Sequence, residues 1–224
     1  MTLLALRNVS RAVSLLGFAF CGLAQAQQVN IVCSMNPEWC RNAASIYERL
    51  SNVKVSVINK PTGESFAQIV AEKDRPKVDV WFGGTSDPHF QAAEQGLTFE
   101  YRSPLLPQLH PWAQEAAKAT GYKTVGLYSE VLGIAYNTEL IAKKKLAAPK
   151  CWKDLTNPAY KGEVQMANAQ SSGTSYVAIA TFVQIMGEDG AFSFMKAMQK
   201  ISTRIRAKAW AQSKRWPKAR ALCR

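Results

Sequence analysis

The first half of the chain alternates between short apolar runs and segments whose apolar side chains recur at helical intervals. Three runs rich in Val, Ile and Trp predict strands: a short buried one at 29–34, an alternating one at 53–58 and a third at 78–82. Three segments predict helices, at 38–50, 65–72 and 87–93. Because strand and helix alternate three times, the predicted fold class is α/β, with a parallel sheet covered by helices on both faces.

The second half continues the alternation with less regular spacing. Two extended runs stand back to back at 124–128 and 131–136, and a last clear strand is predicted at 164–167. Helices are predicted at 139–145, from the turn at 171–174 through Met186, and at 191–200. No internal repeat or low-complexity linker interrupts this order.

The N-terminus has the composition of an export signal. Arg7 and Arg11 are basic, residues 12–23 are apolar, and 24–26 (AQA) is the small-x-small pattern that signal peptidase cleaves. The apolar stretch is too short to span a bilayer comfortably. We therefore expect cleavage after Ala26 and a periplasmic mature chain.

The formal net charge of +12 suggests a nucleic-acid partner until its distribution is considered. Two of the basic residues lie in the signal segment, and eight lie in 201–224, where there is no acidic residue. Residues 27–200 are therefore nearly neutral. Because a domain that binds phosphate backbones carries the basic charge itself, we expect no nucleic acid among the partners.

The cysteines are consistent with an oxidising compartment. Cys33 and Cys40 are near enough in sequence to pair, which would fix the end of the first strand. Free thiols and a metal site are the alternatives. The spacing is not CxxC and no histidine lies near, so metal is the weaker of these two.

Four turns rich in small polar residues each follow a predicted strand or precede a predicted helix. The candidate ligand-binding residues in them are Ser34, Asn36, Gly63, Gly84, Thr85, Asp87, Ser171, Ser172, Gly173 and Thr174. In open α/β sheets ligands bind beyond the carboxyl ends of the strands, and helix N-termini attract anions. Ordinary helix capping explains the same residue types, and that alternative stays open.

Enzyme functions have little support in the sequence. There is no nucleophile elbow and no glycine-rich nucleotide loop. His110 is interpreted as a packed surface or loop residue, and His89 as structural, although it could reach the cleft. We expect a binding protein without a resident cofactor or metal. A secreted hydrolase that uses His89 or Cys33 is the alternative from another class.

Four sequence motifs are similar to those of a known protein family: 79–89 (DVWFGGTSDPH), 136–139 (YNTE), 150–155 (KCWKDL) and 161–174. They resemble family 1 extracellular solute-binding proteins of ABC importers, in the group labelled ferric-iron binding, which includes hexose-phosphate binders. The similarity runs over 29–200. It implies a type 2 periplasmic binding fold, incomplete at the C-terminus, and a monomer that docks on an inner-membrane ABC permease.

The resemblance also implies a division of the chain and roles for its residues. A first lobe is expected over 27–130, a crossover hinge over 131–136 and a partial second lobe over 137–200. The first lobe would present Ser34, Thr85 and Asp87 to the cleft, and the second lobe would hold an oxyanion with Ser172, Gly173 and Thr174.

The expected ligand is an anionic solute, a phosphorylated sugar or a phosphonate-like compound. Ferric iron is the alternative. Iron binders of this family hold the metal with tyrosine pairs from a later part of the second lobe, which this chain does not contain. Some also place a histidine in the turn after the first strand, where this chain has 33–35 (CSM). Both differences favour the anionic solute over ferric iron.

The segment 201–224 is expected to be an aberrant basic tail, with neither strand alternation nor a helical stripe. Because tryptophan has one codon, the frame two bases ahead must encode glycine across 210–211 (WA) and alanine across 216–217 (WP). The encoded glycine and alanine are six positions apart, as are the first and last residues of the family motif Gly-Pro-x-Lys-Ala-x-Ala. We therefore hypothesise that residues from about 201 onward are a frameshifted reading. A genuine basic tail that touches membrane or nucleic acid is the alternative.

The nucleotide sequence of the gene tests this hypothesis. Near codon 201, the frame two bases ahead is expected to continue as an open reading frame of family type. A stop codon soon after that point, or an unrelated translation, would contradict the frameshift.

Overall fold

The computed structural model describes residues 28–202, 204–206 and 220–221. Its N-terminal part, 28–128, which we call the first lobe, is built on three parallel strands, β1 (Gln28–Cys33), β2 (Lys54–Asn59) and β3 (Val80–Phe82). Their order is β2-β1-β3, with Val32 of β1 opposite Ile58 and Trp81. The predicted parallel α/β sheet is confirmed.

Helices cover both faces of this sheet. They are α1 (Pro37–Ser51), α2 (Thr62–Ala71) and α3 (Ser86–Glu94). Side chains alternate across a strand, so Val32 and Cys33 point to opposite faces, and neither is exposed. Cys33 packs with Cys40 of α1, whereas Trp81, on the Val32 side, contacts α2 and α3. The lobe therefore has three layers.

The part from residue 135 to 202, which we call the second lobe, has shorter strands and one long helix. Its elements are β4 (Ala135–Tyr136), α5 (Thr138–Lys143), 3₁₀ turns at Trp152–Thr156 and Pro158–Tyr160, β5 (Gln165–Ala167) and α6 (Gly173–Ile201). In the last part of the first lobe, a 3₁₀ turn at Leu106–Gln108 precedes α4 (Pro111–Ala119).

Helix α6 turns back on itself at Gly187, whose backbone is not helical (φ 73°, ψ 168°). Phe182 and Phe194 lie on either side of this break, with ring centroids 5.0 Å apart. In a straight helix residues twelve positions apart would be separated by about 18 Å. The break therefore allows the two halves to share one core, and the two predicted helices, through Met186 and from 191 to 200, are confirmed.

Four expectations about the elements are corrected. Helix α2 begins at Thr62 and not at 65, so the predicted turn 62–65 is its first turn. Helix α4 was not predicted. The run 124–128 is not a strand, and within 131–136 only β4 is a strand. Val125 and Val131 are 50% and 92% exposed, and neither pairs with a neighbouring strand, as a residue in a sheet must.

The fourth correction concerns the tail. The backbone at Arg204–Arg206 forms β6, parallel to β5, and Arg220–Ala221 forms β7, antiparallel to β4. Short strands therefore exist where no alternation was recognised. The other tail residues, and the expected signal at 1–26, lie outside the described residues. Among the helices that the structure describes, none is long and apolar enough to cross a membrane.

Cys33 and Cys40 form a disulfide, which confirms their predicted pairing. The bond joins the end of β1 to the first turn of α1 and closes the loop that contains Ser34. The side chain of Asn59, at the end of β2, supports the same loop by donating to the carbonyl oxygens of Cys33 and Met35 at 3.0 and 2.9 Å. This loop is therefore fixed at both ends before any ligand is considered.

Removal of the disulfide in a C33A/C40A variant is expected to lower the free energy of unfolding by about 2–3 kcal/mol, because the unfolded chain regains loop entropy. Urea denaturation monitored by tryptophan fluorescence measures this loss. The matched control is Cys151→Ala, which removes an exposed free thiol. A loss no larger than that of the control would contradict a structural role for the bond.

Candidate ligand-binding site

Four backbone segments meet at the carboxyl edge of the first sheet. They are the turn after β1, the turn after β3, the first turn of α2 and the start of α6. Gly63 at the start of α2 donates its N–H to the carbonyl oxygen of Ser171 at 3.1 Å, which joins the first lobe to the second. Ser34 donates its N–H to the Phe82 carbonyl at 2.9 Å, which joins the turns after β1 and β3.

Glycines permit this close approach. A Cβ on Gly173 would lie 2.4 Å from Thr85 Oγ1 and 2.9 Å from Thr62 Oγ1, distances that a real side chain cannot occupy. A Cβ on Gly84 would lie 2.8 Å from Thr62 Oγ1. A Cβ on Gly63 would lie 2.0 Å from the carbonyl oxygen of Gln170. Small residues are therefore required here by packing.

The N-termini of α2, α3 and α6 converge at these contacts. Thr62 opens α2, Thr85 is the N-cap residue of α3, and Gly173 opens α6. The N-terminus of a helix carries partial positive charge and unpaired N–H groups. Three such ends at one place give an environment that favours an anion, and the side chains in contact are neutral hydroxyls.

One of these hydroxyls lacks a partner. Thr85 Oγ1 is buried and makes no hydrogen bond among the residues that the structure describes. Buried hydroxyls are normally paired, because an unpaired one costs about 1–3 kcal/mol. Thr62 and Ser172 are also buried, at 5% and 4% exposure. The cluster therefore contains a hydroxyl that a bound oxyanion could satisfy.

A second hydrogen-bond network lies directly behind Ser34. Trp81 donates its indole N–H to Ser34 Oγ at 3.0 Å, and Ser65 Oγ lies 2.9 Å from the same oxygen. Ser65 is fully buried in the first turn of α2. Ser34 itself is half-buried and adjoins Gly84, whose added Cβ would lie 3.1 Å from that of Ser34.

His89 holds Trp81 in place. The two rings stack with centroids 3.8 Å apart, and His89 Nε2 lies 3.0 Å from the Gly83 carbonyl oxygen. Burial lowers the pKa of the His89 imidazole, and the hydrogen bond to Gly83 offsets this only in part. The structural interpretation of His89 thus has direct contacts in its favour.

Tyr128 fixes the Gly84 turn from the other side. Its hydroxyl accepts a hydrogen bond from the Gly84 N–H at 3.2 Å and donates to the Gly84 carbonyl at 3.4 Å. Burial raises the pKa of the Tyr128 hydroxyl, so it remains a neutral donor and acceptor. Gly83 and Gly84 have φ of 74° and 103°, a backbone conformation that glycine adopts readily.

The structure brings together most, but not all, of the predicted site residues. Those at the junction are Ser34, Gly63, Gly84, Thr85, Ser171, Ser172 and Gly173. Asn36 is exposed and caps α1, accepting from the Glu38 N–H at 2.8 Å, so capping describes it fully. Asp87 is half-buried in the first turn of α3 and makes none of the contacts above, and Thr174 faces a separate cavity.

Four residues of this region were missed as site residues: Thr62, Ser65, Trp81 and Tyr128. Thr62 and Ser65 could have been found, because they lie in the polar turn that supplied Gly63. Trp81 and Tyr128 could not, because each acts through a contact distant in sequence. His110 is exposed as the N-cap residue of α4.

A cavity of about 500 Å³ lies in the second lobe. Apolar side chains dominate its lining, among them Trp152, Met166 and Phe182, and only Thr174 of the predicted site residues reaches it. Small-molecule sites also contain apolar cavities, but this one lies against the core of α6. The junction of helix N-termini, and not this cavity, has the chemistry of an anion site.

The fold has two lobes, and helix N-termini from both lobes meet at this junction. Residues 75–221 match the family model for bacterial extracellular solute-binding proteins. The chain belongs to that family. The match continues past residue 200, so it gives the predicted change of frame near 201 no support, and that hypothesis stays a prediction.

An uncharacterised protein of Haemophilus influenzae is 43% identical over 193 residues, which are 85% of this chain and 56% of that protein. The solved periplasmic binding protein AfuA from Actinobacillus pleuropneumoniae, with exogenous fructose-6-phosphate bound, is also 43% identical, with a TM-score of 0.80. That likeness covers 84% of this chain and 59% of AfuA. The chain thus spans less than two thirds of either relative.

Iron-bound HitA from Pseudomonas aeruginosa has a TM-score of 0.69 and 20% identity, over 85% of this chain and 59% of that protein. At this identity the likeness shows the fold alone. The expected type 2 periplasmic binding fold, incomplete relative to these proteins, is confirmed, while the lobe boundaries stay predictions. The described residues contain no group of three or more His, Cys, Asp or Glu that could hold a metal.

The lowered pKa of His89 predicts that acid destabilises the protein. In the unfolded chain the His89 imidazole takes up a proton as pH falls below its usual pKa of about 6.5, whereas the buried imidazole of the folded protein does so only at a lower pH. Because protonation therefore favours the unfolded state, the free energy of unfolding decreases as pH falls. His89→Gln is expected to reduce this loss between about pH 7.5 and about pH 5. Urea denaturation at both pH values measures it.

His110→Gln is the matched control, since it removes the exposed histidine instead. It is expected to leave the wild-type pH dependence unchanged. If His89→Gln also left that dependence unchanged, the buried imidazole would not be its source.

Proposed function

We propose that this protein is the solute-binding component of an ABC importer and that it captures an anionic solute in the periplasm. The observation that supports this most directly is the junction of α2, α3 and α6, where helix N-termini meet around the unpaired Thr85 hydroxyl. The proposed ligand class is a phosphate ester or phosphonate. Ser34, Gly63, Gly84, Thr85 and the start of α6 are the proposed contacts.

The neutrality of these contacts supports a phosphoryl group over a simple ion pair. Backbone N–H groups and hydroxyls at helix N-termini are typical phosphate ligands and need no basic side chain. The likeness to AfuA, whose solved structure contains fructose-6-phosphate, makes a sugar phosphate the first compound to test. Gly63 and Ser171 link the two lobes at this junction, so a solute bound there would contact both lobes.

The alternatives have weaker support. The hypothesis that the ligand is ferric iron rests on the similarity to HitA, which shows only a shared fold. A hydrolase that uses Cys33 is contradicted, because this sulfur lies in a disulfide and is fully buried. The His89 ring nitrogen is already engaged with Gly83 and its ring with Trp81. We therefore propose that the protein binds its solute without chemical change and delivers it to a membrane permease.

Fructose 6-phosphate is expected to stabilise the purified protein against heat, because a ligand that binds only the folded state adds about 2.7 kcal/mol at one hundred times its Kd. Ferric citrate is expected to have no such effect. Gly173→Ala should abolish the stabilisation, because the new methyl group would displace Thr85 and Thr62. Differential scanning calorimetry measures all of these changes.

Gly190→Ala is the matched control in the same helix, where the nearest heavy atom to the new methyl group is Met186 Cβ at 3.1 Å. It is expected to retain the ligand response. Stabilisation by ferric citrate and not by any phosphate ester would overturn the proposed ligand class. Full ligand response in Gly173→Ala would show that the solute binds elsewhere.

A further inference from the structure

The Ser34 hydroxyl is the outermost member of a three-residue network. Its oxygen lies 3.0 Å from Trp81 Nε1 and 2.9 Å from Ser65 Oγ. Ser65 is fully buried, whereas Ser34 is half-buried beside the Gly84 turn. Any group that the network offers to a bound solute must therefore be the Ser34 hydroxyl.

The position of Trp81 fixes one of the hydrogen-bonding roles of Ser34. His89 and Phe66 stack against the indole at centroid distances of 3.8 and 6.4 Å, each inclined by 24°. The indole nitrogen is a donor and never an acceptor. One lone pair of Ser34 Oγ is therefore occupied by the Trp81 N–H.

The proton shared by the two serines can be placed by burial. Each hydroxyl has one proton and two lone pairs. If Ser34 donated to Ser65, the Ser65 proton would have no acceptor among the described residues in a place that solvent does not reach. Such an unsatisfied donor is unfavourable. If Ser65 donates, every buried proton is satisfied, and the Ser34 proton is left to point outward.

We propose that Trp81 and Ser65 lock the Ser34 hydroxyl as a hydrogen-bond donor toward an anionic oxygen of the solute. The inference rests on the proposed function and adds two positioning residues to it. A hydroxyl that can only donate favours an acceptor such as an ionised phosphate oxygen, and it rejects a ligand N–H at that point. Ser34 thereby selects the anionic end of the solute.

A double-mutant cycle between Trp81 and Ser34 tests the proposal. Trp81→Phe retains an aromatic ring against His89 and Phe66 but removes the N–H. Titration calorimetry with fructose 6-phosphate is expected to show about tenfold weaker binding for Ser34→Ala and a several-fold loss for Trp81→Phe. In the Ser34→Ala background, Trp81→Phe should have no further effect. Ser65→Ala should behave in the same way.

Trp39→Phe is the matched control, because Trp39 is 57% exposed and outside the network. It should leave the affinity unchanged. Equal losses from Trp81→Phe with and without the Ser34 hydroxyl would overturn the inference, because Trp81 would then act through packing. Failure of the wild-type protein to bind fructose 6-phosphate or inorganic phosphate would instead overturn the proposed function.

A measurement without ligand separates the two outcomes further. The indole N–H resonance of Trp81, assigned by its loss in Trp81→Phe, should shift in Ser34→Ala and stay in place in Trp39→Phe. An unchanged resonance in Ser34→Ala would overturn the proposed donor lock even if the solute binds.

Discussion

The absence of a β-carbon at Gly173 is the constraint on which the candidate site depends. It lets the start of α6 touch Thr62 and Thr85, which stand at the N-termini of two helices of the other lobe. Any larger residue would collide with both threonine side chains and force these helix ends apart. The partial charges at the three N-termini then act on one point, because their effect falls off within the first turn.

The first sheet places the other half of the site. Strand β1 has a hydrogen-bonded neighbour on each side, so the residue after it is held between the turns of β2 and β3. That residue is Ser34, and the same sheet brings Trp81 beside it from β3. Helix dipoles supply the electrostatics of the site, and the sheet supplies the position of the hydroxyls. Neither contribution uses a charged side chain.

Sequence periodicity predicted the sheet well because β1 and β3 lie in short apolar runs, while β2 alternates valine with polar residues. It also predicted that polar turns would meet, since parallel strands end at one edge. It failed at 124–128, where Val125 and Leu127 alternate correctly but are both 50% exposed, because alternation says nothing about a pairing partner. Trp81 and Ser34 are 47 residues apart, and no local pattern encodes that bond.

The disulfide has a consequence for the order in which the molecule assembles. Cys33 and Cys40 are seven residues apart, and Cys151, a free exposed thiol, follows much later in the chain. In a polypeptide that enters an oxidising compartment with its N-terminus leading, Cys33 and Cys40 meet before Cys151 has arrived. Timing alone then favours the native pair over a mispaired one, and the Ser34 loop is closed before β2 and β3 have emerged to flank it.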